Sequence, residues 1–326
     1  MNIMGQAFLK NMKGYNMETE LVTIDTANYD MVAAVMGIET NDSTTKRSAD
    51  SLCRFRIWNR PVMGNIEKDG KVRQMEVVPG GTYRLDTGNG SFQYCENVTF
   101  RPFLQRFRYN RWLPYQKPDK DGRKGKYVKS AFTNDYNKFN SSDLIDESGG
   151  FNCGRPSGYI KDWKALPDAT RKLITSIKRV RAIFGTITLG EGSAINEAGE
   201  ALPARAEPLP VIWEIENNTA FKIMGEALAK YRGANRLFPQ HNIELSTEGS
   251  PMMNGNMLYQ PVYNVQLTKE VKLVQPDDNE MLMKFQSWVT SYNKYIQESY
   301  EQNANNSPLA SDEAELIESF ITVEEG

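Results

Sequence analysis

Residues 53–58 (CRFRIW), 72–78 (VRQMEVV), 82–85 (TYRL) and 92–100 (FQYCENVTF) decide the fold class. Apolar side chains recur at every second position in these runs, Phe55 with Ile57, then Phe92 with Tyr94 and Val98 with Phe100. That is the period of a strand with one buried face. The separators MGN (63–65), KDG (68–70), PGG (79–81) and DTGNG (86–90) read as turns, and Lys68-Asp69-Gly70 is a hairpin signal. An antiparallel β region is expected from Cys53 to Tyr109.

Working outward, residues 1–50 are polar and Met-rich and read as an N-terminal arm. From 114 to 156 the chain is rich in Asp, Asn, Lys, Gly and Ser without periodicity, which predicts a long loop; a second loop is expected near 190–209. Between them, Pro167 precedes a predicted helix from Asp168 to Lys178, which runs into the strand-like RVRAIFGTITL (179–189). In that strand alternation sets Arg179, Arg181 and Ile183 opposite Val180, Ala182 and Phe184. VIWEIE (211–216) reads as a strand, and Asn217 or Asn218 as the cap of a helix through Tyr231 with Phe221, Met224 and Leu228 on one face. A strand is expected at Val262–Val274 and a helix at 279–300, where Leu282, Phe285, Val289, Tyr292 and Ile296 keep helical spacing. The reading is an α+β, β-rich chain: arm 1–50, core 51–275, helix 279–300, and a disordered tail 301–326.

Charge separates along this layout. The chain of 326 residues carries a formal −2, but residues after Lys294 hold eight acids and no Lys or Arg, so the remainder carries +6. The cationic charge is densest in FRPFLQRFRYNRWLPYQKPDKDGRKGKYVK (100–129), which carries +8. There Arg101, Arg106, Arg108, Arg111, Arg123, Lys124 and Lys126 interleave with Phe103, Phe107, Tyr109, Trp112, Tyr115 and Tyr127. Cations that replace phosphate counterions, combined with flat rings that stack on bases, are what a single-strand groove needs. Lys178, Arg179 and Arg181, with Arg171 and Lys172, form a second cluster, and Arg54 and Arg56 beside Trp58 repeat the pattern. Aromatic side chains facing a core, with arginines snorkelling past them, would give the same spacing.

In the tail, Asp312, Glu313, Glu315 and Glu318 alternate with Leu316, Ile317, Phe320 and Ile321, a mixture suited to docking in a partner's groove or competing for a basic one. This layout of basic β-rich body, aromatic and cationic surface and acidic tail resembles the single-stranded DNA-binding proteins of tailed bacteriophages and bacteria. The resemblance implies an OB-like β-barrel with insertions and flanking helices, and single-stranded DNA as ligand. It also implies recruitment of replication proteins such as a polymerase or helicase through the tail, with no chemistry performed.

Other classes fare less well. The start, MNIMGQAFLKNMKGYN, lacks the apolar run of a secretion signal, and no stretch is long and apolar enough for a membrane span, so a cytoplasmic protein is expected. Cys53, Cys95 and Cys153 do not form a disulfide pattern, and with the single His241 they are too scattered to argue for zinc, so no metal or cofactor is expected. Cys153 and His241 lack an identifiable third group for thiol catalysis, and the glycine loops lack phosphate-binding spacing. A virion assembly protein and a nuclease with dispersed carboxylates are the competing classes. A homo-oligomer is compatible with either binding or assembly.

Overall fold

The computed structural model describes residues 52–304, except 69–70, 88–89, 116, 119, 121, 123, 136–143, 149, 151, 156–161 and 275. The N-terminal arm expected from the sequence lies outside the described residues, as does the acidic tail beyond Ala304; residues 301–304, expected to be disordered, continue the last helix. The strands are β1 (Cys53–Trp58), β2 (Val62–Lys68), β3 (Lys71–Val78), β4 (Thr82–Asp86), β5 (Phe92–Cys95), β6 (Val98–Pro114), β7 (Gly125–Lys129), β8 (Ile177–Thr188), β9 (Leu209–Ile215), β10 (Ile243–Pro251) and β11 (Met257–Val265). The helices are α1 (Asp168–Ser176), α2 (Asn218–Gly233) and α3 (Asp277–Ala304).

Among the described residues nine strands form one sheet in the order β11-β10-β6-β8-β9-β1-β4-β5, with β7 also on β6, and β2 and β3 pair with each other alone. All pairings are antiparallel except β1 with β9. The mixed, strand-rich architecture matches the expectation, but the sheet is open: no ladder joins β5 to β11 among the described residues. The closed barrel implied by the resemblance is therefore corrected.

The open sheet nevertheless curls hard. Three strand spacings separate β1 from β6, about 14 Å along a flat sheet, yet the Phe55 and Phe100 rings stand 6.1 Å apart. Tyr83 and Trp213 complete this cluster, with Trp213 edge-on to Phe55 at 5.2 Å. The curl brings Tyr83 Oη on β4 to donate to the Ser246 carbonyl of β10 at 2.9 Å, so a side chain spans the gap that backbone leaves. Gly81 belongs to this junction: its φ is +90°, and a Cβ there would sit 2.3 Å from the Tyr259 ring.

Each face of the sheet is partly covered by one helix. On the concave face lies α2, capped by Asn217 Oδ1 accepting from the Thr219 and Ala220 amides, with Phe221, Met224, Leu228 and Tyr231 buried. The other face takes α3, whose Phe285 and Val289 pack on Leu104, Phe184 and Ile212. Asn293 fixes it further, donating to the Phe132 carbonyl and accepting from its amide at 2.9 and 2.7 Å. Three boundaries depart from the sequence reading. MGN (63–65) runs inside β2 rather than turning, the predicted loop 114–156 contains β7, and the predicted strand 262–274 ends at Val265 as the return arm of a hairpin with β10.

Candidate nucleic-acid interface

Strand β6 carries most of the candidate residues, and its register decides their fate. It pairs with β8 along nearly its whole length, which makes it an interior strand with covered faces. Phe103 packs on Phe285, Phe107 on Phe221, and Tyr109 is buried in the same cluster as Phe107. None offers a ring face to a base, so the expectation that these three stack bases is corrected.

The cations near them are also committed internally. Arg101 makes two bonds to the Asp278 carboxylate at 2.7 and 3.0 Å and donates through Nε to the Pro239 carbonyl, tying β6 to the start of α3. Arg108 is buried, ion-paired with Glu214 and held against the Phe132 and Tyr292 rings. Arg181 donates to the Phe221 carbonyl and to Gln105, between the Phe107 and Phe221 rings. Arg111 is half-buried and donates to the Cys153 carbonyl. Arg106 donates to the Gln105 carbonyl beside α3, its guanidinium held below the usual range by burial. Arg179 is half-buried on β8. As phosphate trackers, Arg108 and Arg181 are corrected, each buried and ion-paired or hydrogen-bonded inside the protein; Arg101 is half-buried with its guanidinium on the Asp278 carboxylate.

What stays outside is the far end of β6 and its neighbours. Trp112 and Tyr127 face each other across the β6–β7 pair, rings 4.8 Å apart and edge-on, and are 41% and 51% exposed. Trp112 opens on a groove of about 850 Å³ lined by Pro114, Trp163, Arg171, Lys172, Thr175 and Lys178. Trp163, 43% exposed, is the second free indole of this groove. On the other side, Tyr127 lines a groove of about 480 Å³ with Arg54, Arg56, Asn110, Lys129, Glu214 and Glu216. The two carboxylates there are engaged, Glu214 by Arg108 and Glu216 by the Asn110 amide. Lys124, Lys126 and Tyr115 are exposed nearby in sequence; Arg123 and the tail residues Asp312–Ile321 lie outside the described residues.

The structure thus joins two clusters that the sequence read separately, Trp112 with Lys178, and discards the buried half of the first. Trp163 was missed, although an isolated indole in a polar run (Asp162, Trp163, Lys164) just before a cationic helix was a usable signal. Glu214 and Asn110 could not have been found, because their partners lie 106 residues away in sequence.

Catalytic and metal readings gain nothing from the geometry. His241 Nδ1 lies 3.0 and 3.1 Å from the Gln266 and Lys269 carbonyls and donates to them inside the core. Cys153 donates to the Tyr109 and Val128 carbonyls, and burial pushes its thiol well above the usual range; burial pushes the Cys95 thiol up to about 12. Among the described residues no three His, Cys, Asp or Glu gather to hold a metal ion, and no helix is long and apolar enough to cross a membrane.

Behind Lys129, the buried Asp146 accepts from the Ser148 amide and hydroxyl and the Gly150 amide at 2.8, 2.7 and 3.1 Å. Burial raises its carboxyl nonetheless, those three bonds opposing only in part. A raised carboxyl binds its proton more tightly in the folded state, so its contribution is full below the ordinary 3.8 and is lost as pH rises through the folded value. Asp146→Asn, whose amide oxygen can accept the same bonds, should match wild type near about pH 4 and be the more stable of the two near about pH 7 in urea unfolding. An equal difference at both pH values would contradict this.

No protein-family model, curated protein or solved structure matches the chain.

Proposed function

We propose that this chain binds single-stranded DNA in replication or recombination of the phage type. The track runs over the two grooves that meet at Trp112 and Tyr127. The observation that carries the reading is the convergence of two exposed indoles, Trp112 and Trp163, on one groove with Arg171, Lys172 and Lys178. Arg171 is partly spent on Asp168, while Lys172 and Lys178 are exposed cations of that groove. On the other side of Tyr127, Arg54, Arg56 and Lys129 extend the cationic path. Bases stack on the rings and phosphates follow the cations, so binding tolerates sequence and weakens with salt. The curled open sheet would present this surface in the way an OB barrel does.

The tail, with its seven acids, would compete for the same cations and recruit replication proteins. Oligo(dT) and duplex DNA titrated at several salt concentrations, with the full chain and with a chain ending at Tyr300, test both parts. Oligo(dT) should bind more tightly than duplex, and truncation should tighten it further. Equal affinity for duplex sinks the single-strand reading; unchanged affinity on truncation sinks the competing tail.

A further inference from the structure

Between β1 and β4 the chain leaves the main sheet as the ribbon β2–β3, which has no third strand among the described residues. Directly paired residues share a face. The pairs Met63 with Glu76, Asn65 with Gln74 and Glu67 with Val72 therefore make one face, and Gly64 with Met75, Ile66 with Arg73, and Lys71 make the other. The first face is acidic, with Glu67 and Glu76 exposed around Met63 and Val72; the second is basic, with Lys71 and Arg73 exposed around Ile66 and Met75. All four apolar side chains are exposed, Val72 by 68%. A two-stranded hairpin is marginal in water by itself, and apolar side chains bared on both faces point to something that covers them.

The charge pattern selects the occupant. A nucleic-acid strand would suit the basic face and be repelled by the acidic one. A second ribbon suits both: laid acidic face on basic face, it sets Glu67 and Glu76 against Lys71 and Arg73, and Met63 and Val72 against Ile66 and Met75. We propose that the β2–β3 ribbon docks a second copy of this chain, the acidic face of one ribbon on the basic face of the next. The contact is heterologous, so each pair leaves one face of each kind open and the arrangement repeats into a chain of copies. Eight residues by two strands give a face of about 27 by 10 Å. A contact of that size lies well below the roughly 1,200 Å² of a stable interface, so it is weak between free copies and gains when copies are held side by side.

Sedimentation velocity of the full chain without nucleic acid, from micromolar to millimolar, tests this independently of any ligand. Wild type should associate with rising concentration. The double variants Glu67→Lys/Glu76→Lys and Lys71→Glu/Arg73→Glu should each associate at least about tenfold more weakly, since each sets like charges face to face. An equimolar mixture of the two should regain association, because a wholly basic ribbon then meets a wholly acidic one. These side chains are exposed, so the variants keep the fold. A wild type that stays monomeric throughout, reversals without effect, or a mixture that does not recover each overturns the proposal. So does a Lys71→Glu/Arg73→Glu variant that loses affinity for a short oligo(dT) while self-associating normally, which would make this face a nucleic-acid contact.

Discussion

Replacing Trp112 and Trp163 together by alanine should weaken oligo(dT) binding about a hundredfold while leaving the unfolding midpoint nearly unchanged. Both indoles are close to half-exposed and line one groove. Loss of base stacking costs about 1–3 kcal/mol per ring, and 1.4 kcal/mol is tenfold in affinity. Their removal uncovers little core, so stability should shift by no more than about 0.5 kcal/mol; Trp112 gives up its edge contact with Tyr127 and its packing over Gly125. Salt dependence separates stacking from charge. The alanine pair should keep the slope of log affinity against log salt, whereas Lys172→Ala/Lys178→Ala should reduce it by roughly 0.7 per cation. Trp112→Phe should recover much of the loss at that position, since a phenyl ring still stacks. Full affinity in the double alanine variant would remove this groove from the binding surface, whatever the rest of the chain does.

The same residues show what the sequence could and could not disclose. Strands β1, β3, β4, β8 and β9 and helix α2 were legible because each has an amphipathic period and a cap or turn of its own, Asn217 being the plainest. Strand β10 was not: IELSTEGSP (243–251) carries Gly, Pro and acids because it belongs to a hairpin on the rim of the sheet, where burial asks little of side chains. In β6 the failure was of another kind. Alternation separates two faces but does not tell water from a second layer, so Arg101, Arg108 and Arg181 looked like a surface while their acceptors, Asp278, Glu214 and Gln105, lay far along the chain. Closure was equally hidden, since the curl rests on ring contacts among Phe55, Tyr83, Phe100 and Trp213, which come from four strands. The groove cations were legible as composition, and only the fold could sort them from the buried ones.

Arg108 gives the sharpest test of that sorting, and a second large effect. Its side chain is 2% exposed and that of Glu214 is 23%. The two sit on β6 and β9 with β8 between them, so the ion pair reaches across a strand. Removing the carboxylate with Glu214→Leu strands a buried guanidinium and should cost about 3–5 kcal/mol. For a body of this size that lowers the unfolding temperature by about 10 °C. Arg108→Met leaves a carboxylate that can still meet water and the ammonium of Lys129, so its cost should be smaller, about 1–3 kcal/mol. Arg108→Met/Glu214→Leu, which removes both charges and fills the space beside Phe132 and Tyr292 with apolar groups, should return to within about 1–2 kcal/mol of wild type. Additive losses in the double variant would mean that the two side chains act separately and the pair does not hold the strands. Oligo(dT) affinity, measured on the folded fraction, should be the same in Arg108→Met/Glu214→Leu as in wild type, because a guanidinium closed off by Glu214 and two rings has no phosphate to lose and the pair it forms is neutral; each single variant instead alters the charge of the groove that Glu214 lines. If affinity falls with Arg108→Met/Glu214→Leu at full folding, the boundary drawn between structural and ligand-facing cations on β6 is misplaced.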